Sequence, residues 1–213
     1  MTEAILYGYW RSSATYRVRI ALNLKGVAYE ARGVNLLKAE HAGAEHLALH
    51  PSGRVPILEI DGIRIGQSMA MIEYLDETRP EPPLLPQDPR ARALVRDLRD
   101  QIVADIHPLN NLSALALLRA QFIANDTQIG DWYRHWIVRG FEVLEQMLPA
   151  EGGFCVGDAA TLADIALVPQ VANSRRYAID LAPYPKLARI DAALRELTAF
   201  RDAAPENQPE GKQ

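Results

Sequence analysis

Helix-like and strand-like patterns of apolar residues alternate along the first 80 residues. The β-prone run AILYGYW is followed by a helical spacing of apolar residues at Val18, Ala21, Leu22 and Leu24. The pattern then predicts a strand at VAYEARGVNL, a helix at KAEHAGAEHLALH, two short strands at ILEIDG and IRIG, and a helix at QSMAMIEYLDETR. The resulting order, β-α-β-α-β-β-α, predicts a thioredoxin-like sheet flanked by helices.

Turn-forming residues stand where this order requires a change of direction. Gly26 follows the first helix in the position of a C-terminal cap, where glycine adopts a left-handed conformation without strain. Asp61 and Gly62 join the two short strands, and this dipeptide favours a tight hairpin. The sheet is therefore predicted to begin with a parallel βαβ unit and to end with an antiparallel hairpin.

A proline-rich segment separates this pattern from a helical second half. The stretch RPEPPLLPQDP holds five of the fourteen prolines within eleven residues, which blocks helix formation. Beyond it, Leu94, Leu98, Ile102 and Ile106 recur every four residues. The predicted fold class is α/β plus all-α: a thioredoxin-like domain at 1–80, a linker at 81–89, an all-helical bundle domain at 90–203 and a flexible tail at 204–213.

Two local signals mark positions within the helical half. Pro108 lies inside the first long helical pattern, so a kink or break is expected near His107. Thr161 is followed three residues later by Asp164, a spacing typical of a capping box at the start of a helix.

Composition and charge narrow the classes of partner. The chain has 23 basic and 27 acidic residues, a net charge of −4, and no block of five or more like charges, so neither nucleic acid nor an anionic membrane is expected to bind. No apolar run approaches the roughly 18 residues of a membrane span, and no secretory signal is expected. The single cysteine, Cys155, excludes an intrachain disulfide and a Cys-rich metal site. The protein is therefore predicted to be cytoplasmic. It is also predicted to bind no metal.

Polar residues stand at the predicted starts of two helices in the first half. Ser12 and Ser13 precede the first helix, where free N–H groups and the helix dipole favour an anion. Gln67 and Ser68 stand in the same position before a later helix. Each pair has two interpretations: it caps the helix, which is the commonest reason for serine at a helix start, or it binds an anion.

Longer stretches carry a family resemblance. RSSATYRVRIALNLKG, RVPILEIDGIRIGQSMAMIEYLDETRP, LLPQDP, GDAATLADIALVPQVANSRRY and DLAPYP occur in that order between about residue 4 and about residue 202. Together they resemble the zeta class of glutathione transferases, the family of the maleylacetoacetate isomerases and the related maleylpyruvate isomerases. The resemblance implies a glutathione cofactor, a small dicarboxylate substrate and a homodimer.

The resemblance also implies residue roles. Ser12, with Ser13 beside it, matches the serine that activates the glutathione thiol. Val55, before a cis Pro56, matches the residue whose backbone binds the cysteinyl part of glutathione, and Gln67 with Ser68 matches the pair that holds its γ-glutamyl carboxylate. His107 matches the position that reaches the bound glutathione from the helical domain. Arg11 and Arg176 match positions associated with the carboxylates of the substrate. Without the resemblance, Arg176 reads equally as a solvated cation at a helix end, and His107 as a buried histidine near the kink.

Two departures from the family pattern bear on activity. The usual SSCSW reads SSATY here, so Ala14 replaces a cysteine, which puts α-haloacid conversion in doubt. Leu112 and Ser113 stand where maleylpyruvate isomerases can carry an additional arginine, which favours maleylacetoacetate as the substrate. The alternatives are a maleylpyruvate isomerase, a general glutathione transferase, or a non-catalytic binding protein with the same fold. Of the two further arginines on the first helix, Arg17 and Arg19, at least one is expected to form a structural or interdomain ion pair.

Overall fold

The computed structural model describes residues 4–209, which form two compact units. The first unit comprises residues up to Leu84 together with the segment from Glu196 onward, and the second comprises Leu85–Arg195. The strands are β1 Ala4–Gly8, β2 Tyr29–Gly33, β3 Ile57–Ile60 and β4 Ile63–Ile65. The helices are α1 Ser13–Leu24, α2 Ala44–Leu49, α3 Ser68–Thr78, α4 Pro89–Asp100, α5 Leu112–Phe122, α6 Asp126–Met147, α7 Leu162–Arg176, α8 Pro185–Glu196 and α9 Thr198–Ala203.

The four strands form one mixed sheet in the order β2-β1-β3-β4. β1 pairs in parallel with β2 and antiparallel with β3, and β3 pairs antiparallel with β4. The hairpin between β3 and β4 turns through Asp61 and Gly62, both at positive φ. Gly26 is also left-handed, at φ 64°, as a C-terminal cap requires. The predicted order β-α-β-α-β-β-α is confirmed.

The segment between β2 and β3 is less helical than its composition suggests. Two 3₁₀ turns occupy Leu36–Lys38 and Glu40–Ala42, and α2 has only six residues. Ala39 is left-handed, and Gly43 is extended as the cap of α2, so both interrupt a continuous helix. A helix spanning all of KAEHAGAEHLALH is therefore not formed.

The last helix packs against the first one. Three side chains of α1 donate hydrogen bonds to carbonyl groups of α9: the Tyr16 hydroxyl to Phe200 at 3.2 Å, Arg19 Nε to Ala203 at 2.8 Å, and Asn23 Nδ2 to Ala199 at 3.0 Å. Residues of α9 that face α1 are buried, including Phe200 with none of its surface exposed. The chain thus returns to its first unit after Arg195.

This return changes the expected boundaries at the C-terminal end. The helical unit ends at Arg195, before the expected position 203. The expected flexible tail instead begins with a 3₁₀ turn at Pro205–Asn207. Gln208 is buried and donates to the carbonyls of Asp202 and Ala204. Residues 210–213 lie outside the described part of the chain.

The helical unit confirms most of the predicted apolar stripe, with one shift. Leu98, Ile102 and Ile106 are buried, but Leu94 is 56% exposed and Val95 takes its place in the core. Positions 95, 98 and 102 follow the 3.6-residue period of an α-helix more closely than a strict spacing of four. α4 continues into a π-helical stretch over Gln101–Ile106 and the helix ends there, with a turn over residues 107–110, so the expected break near His107 is confirmed.

The start of α7 is fixed by a buried carboxylate. Asp164 accepts hydrogen bonds from the backbone N–H and the hydroxyl of Thr161, and from the backbone N–H of Cys155, each at 2.8 Å. The Thr161 side chain in turn accepts from the first turn of the helix, so the predicted capping box is confirmed. Burial raises the pKa of Asp164, against the opposing effect of these donors.

Replacing Asp164 tests how strongly this box holds the helical unit. Asp164→Ala leaves buried donors of Thr161 and Cys155 unpaired, so we expect the free energy of unfolding to fall by about 3 kcal/mol. Urea denaturation followed by circular dichroism measures the change. Asp158→Ala removes a carboxylate from an exposed residue nearby and should change the same quantity by less than about 0.5 kcal/mol. Equal effects of the two substitutions would contradict a special role for the box.

Candidate active site

The sheet topology brings three separate segments to one edge. β1 ends at Gly8 and leads into Ser12, and the antiparallel β3 begins beside that end, with Ile57 opposite Tyr7. β4 runs antiparallel to β3 and ends at Ile65 on the same side, two residues before Gln67. The start of α1, the segment before β3 and the start of α3 therefore lie at a common edge.

Ser12 is the N-terminal cap of α1. Its backbone is extended, and its hydroxyl oxygen accepts a hydrogen bond from the N–H of Thr15 at 3.2 Å. The helix begins close against the sheet, since a Cβ added to Gly8 would come within 2.3 Å of a Thr15 methyl carbon. Ser13, the first residue of the helix, is buried. The capping interpretation of Ser12 is thus observed, and the hydroxyl hydrogen remains available to donate to a ligand.

The segment before β3 contains a cis peptide bond between Val55 and Pro56, as the family resemblance implied. Val55 is half-buried and Pro56 is buried. A second cis bond, between Glu81 and Pro82, was not expected.

The start of α3 contributes Gln67 and Ser68. Gln67 is the extended cap residue, its side chain is exposed, and it makes no capping hydrogen bond to the helix. Ser68 is buried, and its hydroxyl oxygen accepts a hydrogen bond from Nη1 of Arg17 at 3.3 Å. Capping by the Gln67 side chain is therefore not observed, which leaves this amide free to contact a ligand.

The electrostatic character of this edge is positive. The first turns of α1 and α3 contain no acidic residue, so both helix dipoles act without local neutralisation. Arg11 lies just before α1, with its guanidinium 5.2 Å from the Trp10 ring centroid and 5.9 Å from that of Tyr9. Its Nε is buried without a hydrogen-bond partner within residues 4–209. The edge is thus suited to an anion with several acceptor atoms.

The two remaining predicted residues lie in the helical unit. His107 follows the π-helical stretch, is half-buried and donates its backbone N–H to the carbonyl of Ile102. Arg176 is the last residue of α7, is exposed, and donates from Nη1 to Oδ1 of Asn173 at 3.3 Å. Its position at a helix C-terminus is the favourable place for a cation.

A group of residues near His107 and Arg176 was not predicted from the sequence. Tyr133 of α6 stacks on Tyr177, with ring centroids 3.8 Å apart, and Asn110 donates to the carbonyl of Tyr133. Burial raises the pKa of Tyr133 to about 12, while the nearby charge of Arg176 acts in the opposite direction. No local motif marks these residues, because they meet only through packing of α6, α7 and the turn after the π-helical stretch.

Of the two arginines of α1, Arg17 does not form the ion pair that was expected of at least one of them. Arg17 has no carboxylate partner among residues 4–209, and its one hydrogen bond goes to Ser68. Arg19 donates to the carbonyls of Ala203 and Trp10. A buried guanidinium can be held by hydroxyl and carbonyl oxygens as well as by a carboxylate.

Family models match both units. Residues 2–77 match the N-terminal domain of glutathione S-transferase, and residues 113–206 match its C-terminal domain. The chain belongs to the glutathione S-transferase family. The predicted fold, a thioredoxin-like N-terminal domain followed by a helical C-terminal domain, is confirmed.

Individual relatives place this glutathione S-transferase in the zeta class. It is 50% identical to a protein of Vibrio cholerae named as a probable maleylacetoacetate isomerase, over 99% of each chain. A solved holo structure of a maleylpyruvate isomerase, a bacterial zeta-class enzyme, superposes with a TM-score of 0.94 at 46% identity, over 97% of this chain and 99% of the other. A maleylacetoacetate isomerase of Methylobacterium extorquens AM1, solved with malonate and glutathione, gives 0.93 at 38% identity, over 97% and 98%.

Two features are absent from the part of the chain that the structure describes. None of its helices is both long and apolar enough to cross a membrane. No group of three or more histidine, cysteine, aspartate or glutamate residues within 4–209 is arranged to hold a metal ion.

The two roles of Ser12 can be separated by stability measurements. Ser12→Ala removes the cap, so we expect the free energy of unfolding to fall by about 1 kcal/mol. Ser12→Asn keeps a side-chain oxygen that can accept from Thr15, so its loss should be no more than a few tenths of a kcal/mol. Thermal and urea unfolding of both variants measure the difference. If Ser12→Ala is as stable as the parent, the cap contributes nothing and the serine serves the ligand alone.

Proposed function

We propose that this glutathione S-transferase is a glutathione-dependent cis-trans isomerase that converts maleylacetoacetate to fumarylacetoacetate. The observation that carries the proposal is the convergence of Ser12, the cis Val55–Pro56 segment and the start of α3 at one edge of the sheet. The names of the relatives support the reaction, because maleylacetoacetate isomerases, from bacteria to mammals, are among those that match nearly the whole chain.

The residues present at the edge fit glutathione. The N-terminus of α3, with Gln67 and Ser68, offers N–H groups, an amide and a hydroxyl to the γ-glutamyl carboxylate, and no acidic residue opposes it. The backbone of Val55 hydrogen-bonds the cysteinyl part, and Ser12 lies at the thiol. Bound glutathione supplies a thiolate that adds to the conjugated double bond, permits rotation about the resulting single bond and leaves again.

The protein's part is to keep the thiol ionised. A free cysteine-type thiol with a pKa of about 8.5 is only about 3% ionised at pH 7, and a pKa lower by about two units raises this to about 75%. The corresponding stabilisation is about 2.7 kcal/mol. Ser12 donates a hydrogen bond to the sulfur, and the positive end of the α1 dipole lies beside it. Both interactions stabilise the thiolate and therefore lower the pKa of the thiol. Ala14 is buried and has no part in this chemistry.

The two carboxylates of the substrate require cations outside the thiol site. Arg11 and Arg176 orient them by bidentate hydrogen bonds, which guanidinium groups form with carboxylates. His107 contacts the bound glutathione from the helical unit. We also propose that the protein is a cytoplasmic homodimer, as the resemblance implies, and light scattering of the purified protein tests the dimer.

The decisive experiment follows the loss of enzymatically generated maleylacetoacetate with and without glutathione. We expect turnover that requires glutathione and falls by about 100-fold or more in kcat for Ser12→Ala, because the thiolate loses its hydrogen-bond donor. The ultraviolet absorbance of the bound thiolate at pH 7 should fall in the same variant. Full activity without glutathione, or full activity of Ser12→Ala, would overturn the proposed mechanism.

Maleylpyruvate isomerisation is the second candidate, since a maleylpyruvate isomerase is among the structures that superpose well. Leu112 and Ser113 lack the additional cation of that activity, so we expect kcat/KM to be higher for maleylacetoacetate. If maleylpyruvate is preferred, the substrate assignment is wrong and the mechanism stands. If neither diacid reacts, general conjugation to electrophiles or a non-catalytic binding role takes its place.

Arg176 provides a test of carboxylate orientation. We expect Arg176→Met to lower kcat/KM for maleylacetoacetate by about 10- to 100-fold, and Arg176→Lys to restore part of the loss, since lysine keeps the charge without the planar fork. Arg134→Met, which removes an exposed arginine paired with Asp131 on α6, is the matched control and should stay within about twofold. A loss below twofold for Arg176→Met would exclude the assigned role.

A further inference from the structure

A buried cation lies behind the proposed binding edge. Arg17 of α1 is 2% exposed, and its Nη1 donates to Oγ of Ser68 at 3.3 Å. Its Nε and Nη2 are buried and have no hydrogen-bond partner within residues 4–209. No carboxylate in that range pairs with it, so a full charge is enclosed with most of its donors unused.

Such an arrangement is costly for the protein alone. Removing a guanidinium from water without a counter-charge is strongly unfavourable, and natural proteins usually pair buried charges. Burial lowers the pKa of Arg17 to about 10, which still leaves the side chain charged at neutral pH. Arg19, also buried on the same helix, shows the usual solution, because its Nε and Nη2 donate to carbonyls of Ala203 and Trp10.

The one contact that Arg17 makes indicates where a counter-charge would bind. Ser68 is the first residue of α3, and its oxygen accepts from Arg17, so its own hydrogen can donate outward to a ligand. The free N–H groups of the first turn of α3 point to the same place, and that turn has no acidic residue. A buried cation, a polarised hydroxyl and a helix N-terminus thus meet at the start of α3.

We infer that Arg17 is a positioning residue for glutathione: it is the buried cation that compensates the γ-glutamyl carboxylate, acting through the hydroxyl of Ser68. The inference rests on the proposed function, because it needs glutathione to bind at the edge of the sheet. It assigns to α1 a second task beside the cap at Ser12, since the same helix holds the thiol at its start and the carboxylate from within.

The inference predicts opposite effects on the free and the bound protein. The free protein carries an uncompensated charge, so replacing Arg17 by methionine, which is apolar and of comparable length, should leave the unfolding temperature unchanged or raise it. Glutathione should bind this variant about 10- to 100-fold more weakly, the usual effect of losing a charge-assisted interaction. A purely structural arginine would give the reverse, with lower stability and unchanged affinity.

The test measures dissociation constants by isothermal titration calorimetry for two probes. One is glutathione, and the other is 4-aminobutyryl-cysteinyl-glycine, which lacks only the γ-glutamyl carboxylate. For the parent we expect the second probe to bind about 100-fold more weakly, and for Arg17→Met the ratio should shrink to less than about fivefold. Arg19→Met is the matched control, because it removes an equally buried arginine of α1, and it should keep the parent's ratio.

Each outcome decides the inference. If the parent and Arg17→Met discriminate equally between the probes, Arg17 does not act on the carboxylate and the proposed function stands. If the parent binds neither probe, both the inference and the proposed function fail. If Arg17→Met does not fold, Arg17→Gln gives the answer in its place, since it keeps a polar donor near Ser68, removes the charge and should reduce the parent's ratio at least about threefold. An unchanged ratio in Arg17→Gln would overturn the inference.

Discussion

The pairing of β1 is the constraint on which the first unit depends. β1 is parallel to β2 and antiparallel to β3, so the end of β1 and the start of β3 meet at the same edge. The hairpin from β3 to β4 then returns the chain to that edge before α3. Two helix N-termini and one cis-proline segment are thereby placed side by side, although Ser12 and Val55 stand more than 40 residues apart in the chain.

Helix α1 carries this arrangement from the sheet into the rest of the unit. It packs tightly against β1 near Gly8, and on another side it donates to the carbonyls of α9. Because α1 is held on several sides, the cap residue Ser12 has a fixed position and Arg17 is enclosed near α3. Rigid support of this kind is what a site needs to hold a ligand in one orientation.

Two arginines of the first unit have buried nitrogens that a bound anion could pair with. Arg17 has little internal compensation, and Arg11 has a buried nitrogen without a partner within residues 4–209. Other cations of the unit are paired with carboxylates, as Lys25 is with Asp76 at 2.7 Å and Arg79 with Asp61 at 3.0 Å. A site that leaves the buried nitrogens of Arg11 and Arg17 open retains free energy that a bound carboxylate can recover.

The sequence by itself determined the features that depend on neighbouring residues: the element order, the turn at Asp61–Gly62, the cap at Gly26 and the capping box of Asp164, since each rests on backbone preferences over a few positions. Its motifs also indicated the residues of the candidate site. Only the tertiary structure decided the return of α9 to α1, the exposure of Leu94, the stacking of Tyr133 on Tyr177 and the contact of Arg17 with Ser68. These features depend on which distant surfaces pack together, and Arg17 in particular could not be recognised as a buried, unpaired cation until the fold enclosed it.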